Sequence, residues 1–319
     1  MKKNHFALKI GALFALCLVV VVVFLTYNTY GNWDFALKLR GKKILAFIFV
    51  ALATSVSTIA FQTITRNQFL TPGILGLDNL YIMIQTLLFF FVGGIKMLSQ
   101  ESIWMFIANV GLMTILSVLF ISFFMDKVTG NLFLLLMVGM ISGTLFSSIS
   151  TFIQVLMDPN EYDLLQGRLF ASFSNVNSNY LMVAAAIIIV SVVVLWFVAP
   201  ELDIMHIGRD HAVNLGISVN RLQTLCLFCI SLLTGTATAL VGPTVFLGFI
   251  VVTISYRLFA TYQHKKLFIG SFLLGILLLV GGQFLVEQIF QWSTTISTVI
   301  QFVGGIFFLG KILSERKKV

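Results

Sequence analysis

Phe61-Gln62-Thr63-Ile64-Thr65-Arg66-Asn67-Gln68-Phe69-Leu70-Thr71-Pro72-Gly73-Ile74-Leu75-Gly76 is a polar interruption between two strongly apolar runs. If those runs were soluble helices, this stretch would be a surface turn. If they cross a bilayer, Pro72-Gly73 breaks the chain at membrane depth, where irregular backbone survives only when buried in protein or lining a cavity. Composition selects the second reading. Of the 319 residues, 59% are hydrophobic and 10% charged, with a mean hydropathy of +1.02, whereas a soluble domain carries about 25% charged residues. Too little polar surface exists to coat a water-soluble enzyme, and such a chain does not stay disordered.

Outward from this break, apolar runs recur at a length close to the roughly 20 residues that a membrane-spanning helix needs. They lie near 7–27, 44–64, 74–93, 103–125, 132–153, 177–198, 222–241, 244–260, 267–286 and 296–312. The expected fold is an all-α integral membrane protein of about ten transmembrane helices, forming one domain over residues 1–319. The runs are too uniformly apolar for the alternating strands of an outer-membrane barrel. Lys2, Lys3 and Lys9 precede Ile10–Leu25 as in a signal peptide, but no small-x-small site follows, so this run reads as an uncleaved first span. Placing both termini in the cytoplasm puts fourteen of the 20 Lys and Arg on that side, as the positive-inside rule requires. The net charge of +8 therefore belongs to loops between spans and implies no nucleic acid. The six basic residues on the outer side are Lys38, Arg40, Lys42, Lys43, Lys96 and Arg168.

Two motifs fail on inspection. Gly305-Ile306-Phe307-Phe308-Leu309-Gly310-Lys311 imitates a phosphate-binding loop, but Ile312 stands where a Mg²⁺-binding hydroxyl is needed, and the segment is an apolar helix. Cys226-Leu227-Phe228-Cys229 has zinc-like spacing without further ligands, so packing is its expected role. The three cysteines offer no disulfide framework. Asp78 is the one acidic residue inside a span. Such residues are functional suspects, although one following a Pro-Gly break also suits a helix cap. With no nucleotide site and no evident ion-coupling cluster, any transport is expected to draw its energy from another subunit.

Three polar features remain. Residues 201–221 form the longest polar stretch and read as two short amphipathic helices broken around Gly216, a docking element for a soluble partner on the cytoplasmic face. The break at 61–76 has Gln62, Arg66 and Asn67 to satisfy backbone groups freed by Pro72 and Gly76. Arg40-Gly41-Lys42-Lys43 opposes the usual charge bias and can pair with carboxylates of an extracellular partner.

These features, in this order, resemble the FecCD/BtuC-like permeases of ABC importers for iron–siderophores, haem and vitamin B12. Gln62…Arg66-Asn67…Pro72…Leu75-Gly76 is similar to the family's Q…RNPLA-P…LG signature. Asn214-Leu215-Gly216-Ile217 resembles the LG of its coupling helices, Gly242–Gly248 with Tyr256-Arg257 its G-I-x-F-V-G-L…P-H-x-x-R region, and Gly304–Phe308 its final G-x-P-x-F. Within the family the chain looks most like the catecholate branch of the petrobactin/anguibactin type, through Gly76-Leu77-Asp78-Asn79-Leu80-Tyr81 and Met157-Asp158-Pro159-Asn160-Glu161-Tyr162. It departs from the family at Arg40-Gly-Lys-Lys43, where an Arg and a Pro are lost, and lacks the Pro-His before Arg257. Such losses suit one half of a heterodimer.

The resemblance implies a type II importer permease in the bacterial plasma membrane, moving a ferric siderophore by alternating access. It implies ATPase-coupling residues Asp203, Arg209, Asp210, His211, Leu215 and Gly216, and binding-protein docking residues Arg40, Lys42 and Lys43. A cytoplasmic gate is expected at Thr129, Gly130 and Asn131, and a pathway break at Gln62, Arg66, Asn67, Pro72 and Gly76. The implied partners are a paralogous second permease, two copies of an ATPase subunit that bind the ATP and Mg²⁺, an extracellular substrate-binding lipoprotein and membrane lipid. No cofactor is expected on this chain, nor any catalysis. Carriage of haem or another metal chelate, and an ion-coupled secondary transporter with paired broken helices, are the alternatives.

Overall fold

The computed structural model describes residues 2–28, 33–94, 96, 102–127, 132–169, 173, 176, 178–291 and 294–316. Regular structure among them is helical: α1 (Lys2–Thr26), α2 (Trp33–Thr65), α3 (Leu77–Val92), α4 (Ile103–Lys127), α5 (Leu132–Leu156), α6 (Pro159–Leu169), α7 (Ser178–Ile207), α8 (Arg209–Asn214), α9 (Val219–Val241), α10 (Leu247–Phe259), α11 (His264–Gln288) and α12 (Ile296–Arg316). Lipid offers no hydrogen bonds to the backbone, so each apolar run satisfies its own amides by coiling. Eight helices are long and apolar enough to cross a membrane, against the ten expected; α3 and α10, which fall on the other two expected spans, are apolar but shorter.

Helix α2 is the axis. In its most apolar stretch 72% of residues are buried, against 17% in α1, and it packs against α1, α7, α9, α10 and α11. Small residues make that possible, because close helix approach in a membrane depends on them. A Cβ at Gly275 of α11 would lie 3.0 Å from Ala51 Cβ, and one at Gly248 of α10 would run into the Thr58 hydroxyl.

Two expectations are corrected. Helix α2 starts at Trp33, so the basic cluster at 40–43 lies on a helix and not in a loop; Arg40 and Lys43 have partners on neighbouring helices there. The 201–221 stretch is not a pair of short helices. Helix α7 continues through Pro200 to Ile207, because Ala199, Leu202 and Met205, three residues apart, extend its buried face. Only α8 is a separate short helix, and α9 has begun by Val219.

At 16 and 13 residues, α3 and α10 are too short to cross alone. Each follows a non-helical stretch, 66–76 and 242–246. The first begins with a Schellman closure of α2: the Asn67 N–H donates to Gln62 O (3.1 Å) and the Arg66 N–H to Thr63 O (3.2 Å), with Arg66 in the left-handed region at φ 52°. The Gln62 amide then donates to Gln68 O (2.7 Å), and Asn67 Oδ1 accepts from the Phe69 N–H (2.8 Å). Gln62 and Asn67 thus stitch the break as expected. Arg66 contributes its backbone, while its side chain is exposed.

Candidate functional site

The two breaks meet inside the bundle. Thr71, Pro72 and Gly73 of the first, with Thr244 and Phe246 of the second, enclose a void of about 30 Å³ against Thr54 and Thr58 of α2 and Thr238 of α9. That is room for one water. Next to it, sharing Asp78 and Phe246 as walls, lies a cavity of about 460 Å³. Its lining is polar for a membrane interior. Ser147, Ser150, Thr151 and Gln154 face it from α5, Gln166 from α6, Asn79 from α3, and Ser297, Thr298 and Gln301 from α12. Several of these groups are held in place: Asn79 donates to Gly143 O (3.0 Å), Gln154 to the Thr86 hydroxyl (3.1 Å), and Ser297 to Pro243 O (3.1 Å). Residues at the starts of α3, α10 and α12 line this cavity, so the positive ends of three helices lie beside it.

Of the expected pathway residues, Pro72 borders the small void, and Gly76 packs directly on Gly143 of α5, with the two Cα atoms so close that a Cβ on Gly76 would stand 2.7 Å from Gly143 Cα. Gln62, Arg66 and Asn67 lie away from the cavity, at the end of α2. Asp78 is not the N-cap of α3: that position is Gly76, and Asp78 stands in the first turn. The serine, threonine and glutamine wall was missed, although in α5 its spacing of three, four and seven residues traces one helix face and was readable.

At the end of the molecule carrying the α7–α9 junction, Arg209 donates to Asn220 Oδ1 (2.8 Å). Asp210, His211, Leu215 and Gly216 are exposed together with Ile207 and Val213, and Gly216 turns the chain at φ 83°. Asp203 faces inward. Its Oδ1 accepts both the backbone N–H (2.7 Å) and ring Nδ1 (2.6 Å) of His264, whose Nε2 meets the Thr63 hydroxyl at 2.7 Å. His264 is 1% exposed, and sequence reasoning gave it no role. The gate residues Thr129, Gly130 and Asn131 lie outside the described residues.

At the opposite end, Arg40 Nη1 donates to the carbonyls of Phe24 (3.0 Å), Leu25 (3.2 Å) and Tyr27 (2.6 Å), satisfying acceptors that the end of α1 leaves open. Lys43 Nζ pairs with Glu287 Oε1 at 2.8 Å, and Gln283 donates to the same oxygen at 2.9 Å. Lys42 is exposed. The Lys43–Glu287 side chains are 12% and 5% exposed, so removing Lys43 leaves the Glu287 charge buried with only the neutral Gln283 amide against it, and removing Glu287 takes a carboxylate from a nearly buried lysine. Lys43→Met or Glu287→Met is expected to cost about 3 kcal/mol, and the double variant to recover most of it. Melting of the detergent-solubilised protein measures this; additive losses would show that the two groups do not depend on each other.

The buried cysteines Cys226 and Cys229 are free in α9, and among the described residues no three His, Cys, Asp or Glu side chains come together as metal ligands.

Comparison with known proteins follows the same lines. The model of the FecCD transport family matches residues 6–314. Over 310 residues the chain is 42% identical to the petrobactin import system permease protein YclO of Bacillus subtilis (strain 168), covering 97% of this chain and 98% of that one. It is 36% identical over 279 residues to the petrobactin import system permease protein FatC of Bacillus anthracis, covering 88% and 79%. A solved structure of a metal-chelate type ABC transporter in an inward-facing conformation has the same fold, with a TM-score of 0.82 at 20% identity over 97% of this chain and 99% of that one.

Proposed function

The chain belongs to the FecCD transport family, and we propose that it is the permease subunit of an ATP-driven importer that carries a ferric siderophore of the catecholate class into the cytoplasm. The polar cavity where the two helix breaks meet carries this reading. Hydroxyl and amide groups suit a chelate that brings its own iron ligands, and a wall of this kind passes cargo without covalent chemistry. The relatives YclO and FatC are both named for petrobactin import, which supports the catecholate class. The paired breaks are also what an ion-coupled secondary transporter would use; membership of an ABC permease family decides against it.

In this reading the group of half-buried Arg209 and exposed Asp210, His211, Leu215 and Gly216 contacts an ATPase subunit, which binds ATP and Mg²⁺, while Asp203 ties that surface to the bundle. Lys42, exposed at the far end, contacts a substrate-binding lipoprotein. Arg40 and Lys43 shape that docking surface by fixing the ends of α1 and α11. Residues 129–131 form the cytoplasmic constriction. A paralogous permease completes the cavity. Both termini are cytoplasmic in a plasma membrane. In support, Lys9 caps α10 through Leu258 O (2.7 Å), and Lys265 and Lys266 lie over Trp196 and Phe6, a basic cluster at the end where both termini would emerge.

Radiolabelled-iron uptake in a strain lacking only this gene tests the proposal, with ferric catecholates, ferric hydroxamates, haem and vitamin B12 as the panel. Loss confined to catecholates, restored by the wild-type gene and only partly by Lys42→Glu, is expected. Loss of hydroxamate or haem uptake instead would reassign the substrate, and unchanged uptake of every compound would remove the siderophore reading.

A further inference from the structure

The small void between the two helix breaks is ringed by hydroxyls. Its wall takes Thr71 from the first break, Thr244 from the second, Thr54 and Thr58 from α2, and Thr234 and Thr238 from α9. Thr54 is already engaged, donating to Val50 O. Thr71 Oγ1 accepts the Ile74 N–H (3.3 Å), which leaves its own proton free. Thr234 differs from the other threonines inside helices. Thr65 donates to Phe61 O (2.7 Å), Thr86 to Ile82 O (2.8 Å) and Thr114 to Val110 O (2.7 Å), each reaching back four residues. Thr234 lies well inside α9 (Val219–Val241) and makes no such bond. Its Oγ1 is buried, has no hydrogen-bond partner among the described residues, and belongs to a residue that borders the void. A hydroxyl left unpaired in a membrane interior is costly, because no solvent stands in for the missing partner.

Size and chemistry agree on the partner. The void of about 30 Å³ matches one water, which needs roughly two to four polar neighbours, whereas cavities that stay dry are apolar. Water donates and accepts, so it serves a hydroxyl of either polarity and needs no fixed charge in the wall. We propose that this void binds a single ordered water, which pairs with Thr234 Oγ1 and joins the break at 66–76, through Thr71, to the break at 242–246, through Thr244. Phe246, held in the left-handed region at φ 67°, stands with Asp78 between this site and the large cavity. A direct bond between the two breaks would fix them in one register. A bridging water lets them shift while each hydroxyl keeps a partner. The site belongs to the bundle and holds whichever cargo the protein carries.

The first test is a density map of the purified permease, with the subunits that copurify, at a resolution that shows ordered water. A peak within about 3.2 Å of Thr234 Oγ1 and of a polar atom on each break is expected. An empty void would overturn the proposal. The second test is melting in detergent of Thr234→Val beside Thr236→Val. Thr236 Oγ1 is also buried without a partner, but Thr236 does not border the void. Thr236→Val removes an unpaired group and should leave the melting temperature unchanged or raise it. Thr234→Val takes a partner from the water and should lower the melting temperature by about 2 °C or more. A Thr234→Val protein that melts at or above Thr236→Val would overturn the water. Melting in sodium, potassium and choline chloride completes the series, and equal values are expected for the wild type. Stabilisation by sodium or potassium over choline, lost in Thr234→Val, would give the site to a metal cation and overturn the proposal. Should Thr234→Val fail to accumulate, the wild-type map decides.

Discussion

Replacing Gly76 with alanine is expected to remove most of the folded permease from the membrane. Gly76 holds φ +89°, a conformation that costs an L-residue roughly 1–2 kcal/mol. The added Cβ would also stand 2.7 Å from Gly143 Cα, 3.0 Å from Gly143 N and 3.3 Å from Gly139 O. All three are backbone atoms of α5, which cannot rotate aside as a side chain does. Overpacking of this kind costs about 1–3 kcal/mol more, against a total stability of about 5–15 kcal/mol. The damage would also be local to function, because the α3–α5 contact sets Asp78 and Asn79 against Ser147 and Ser150 across the cavity. The order of effects is part of the prediction. Gly143→Ala should be milder, since its Cβ would meet the movable Asn79 side chain at 3.1 Å and Gly76 Cα at 3.1 Å. Gly305→Ala, with nothing within 4 Å, should be neutral or slightly stabilising. Abundance in membranes and the melting temperature in detergent measure all three. A Gly76→Ala protein that melts with the wild type would mean that α3 and α5 do not approach as described.

The same glycine shows what a sequence conveys and what it hides. The Pro72-Gly73 break was legible because lipid forbids unpaired backbone, so a polar run with Pro and Gly inside an apolar region has few explanations. That Gly76 exists to admit Gly143 was not legible, since the contact joins residues 67 positions apart. Apolar length alone located the helices, yet the start of α2 was misplaced by eleven residues, from 44 to Trp33. Charge made Arg40 and Lys43 look like loop residues. They sit on a helix because carbonyls at the end of α1 accept the Arg40 hydrogen bonds and Glu287 on α11 neutralises Lys43, and no pattern in the sequence shows either pairing. The tail of α7 was cut short for a similar reason: Pro200, Glu201 and Asp203 look like an ending, but Leu202 and Met205 keep the helix face buried. The cavity wall was visible only as a stripe of Ser, Thr and Gln along α5, and its meaning depends on α3, α6 and α12 supplying the facing sides.

Asp203→Ala is expected to cut iron uptake by at least about tenfold, and the geometry says why. The Asp203 carboxylate belongs to the last turns of α7, six residues before Arg209, where the surface at Arg209–Gly216 begins. It is the acceptor for the first backbone N–H of α11 and for the His264 ring, which in turn meets Thr63 of α2. Thr63 lies three residues before Arg66, where α2 ends and the stretch leading to Pro72 and Asp78 begins. A chain of short hydrogen bonds therefore joins α7, next to the surface proposed to meet the ATPase, to α11 and to the end of α2, from which the backbone runs on to the cavity wall. Alanine at 203 strands two buried donors at once, the helix N-terminal amide and the imidazole, each worth about 1–3 kcal/mol when left unpaired. Helix α7 would then move without drawing α2 and α11 with it. His264→Gln, which keeps a hydrogen-bonding amide but not the ring's two-ended reach, should lose less stability and still lower uptake. ATP hydrolysis measured beside uptake in proteoliposomes separates a broken tether from a broken docking surface. Hydrolysis that persists while transport falls marks the tether. Loss of both marks the docking surface. Uptake unchanged in Asp203→Ala would show that the motion reaches the cavity by another route.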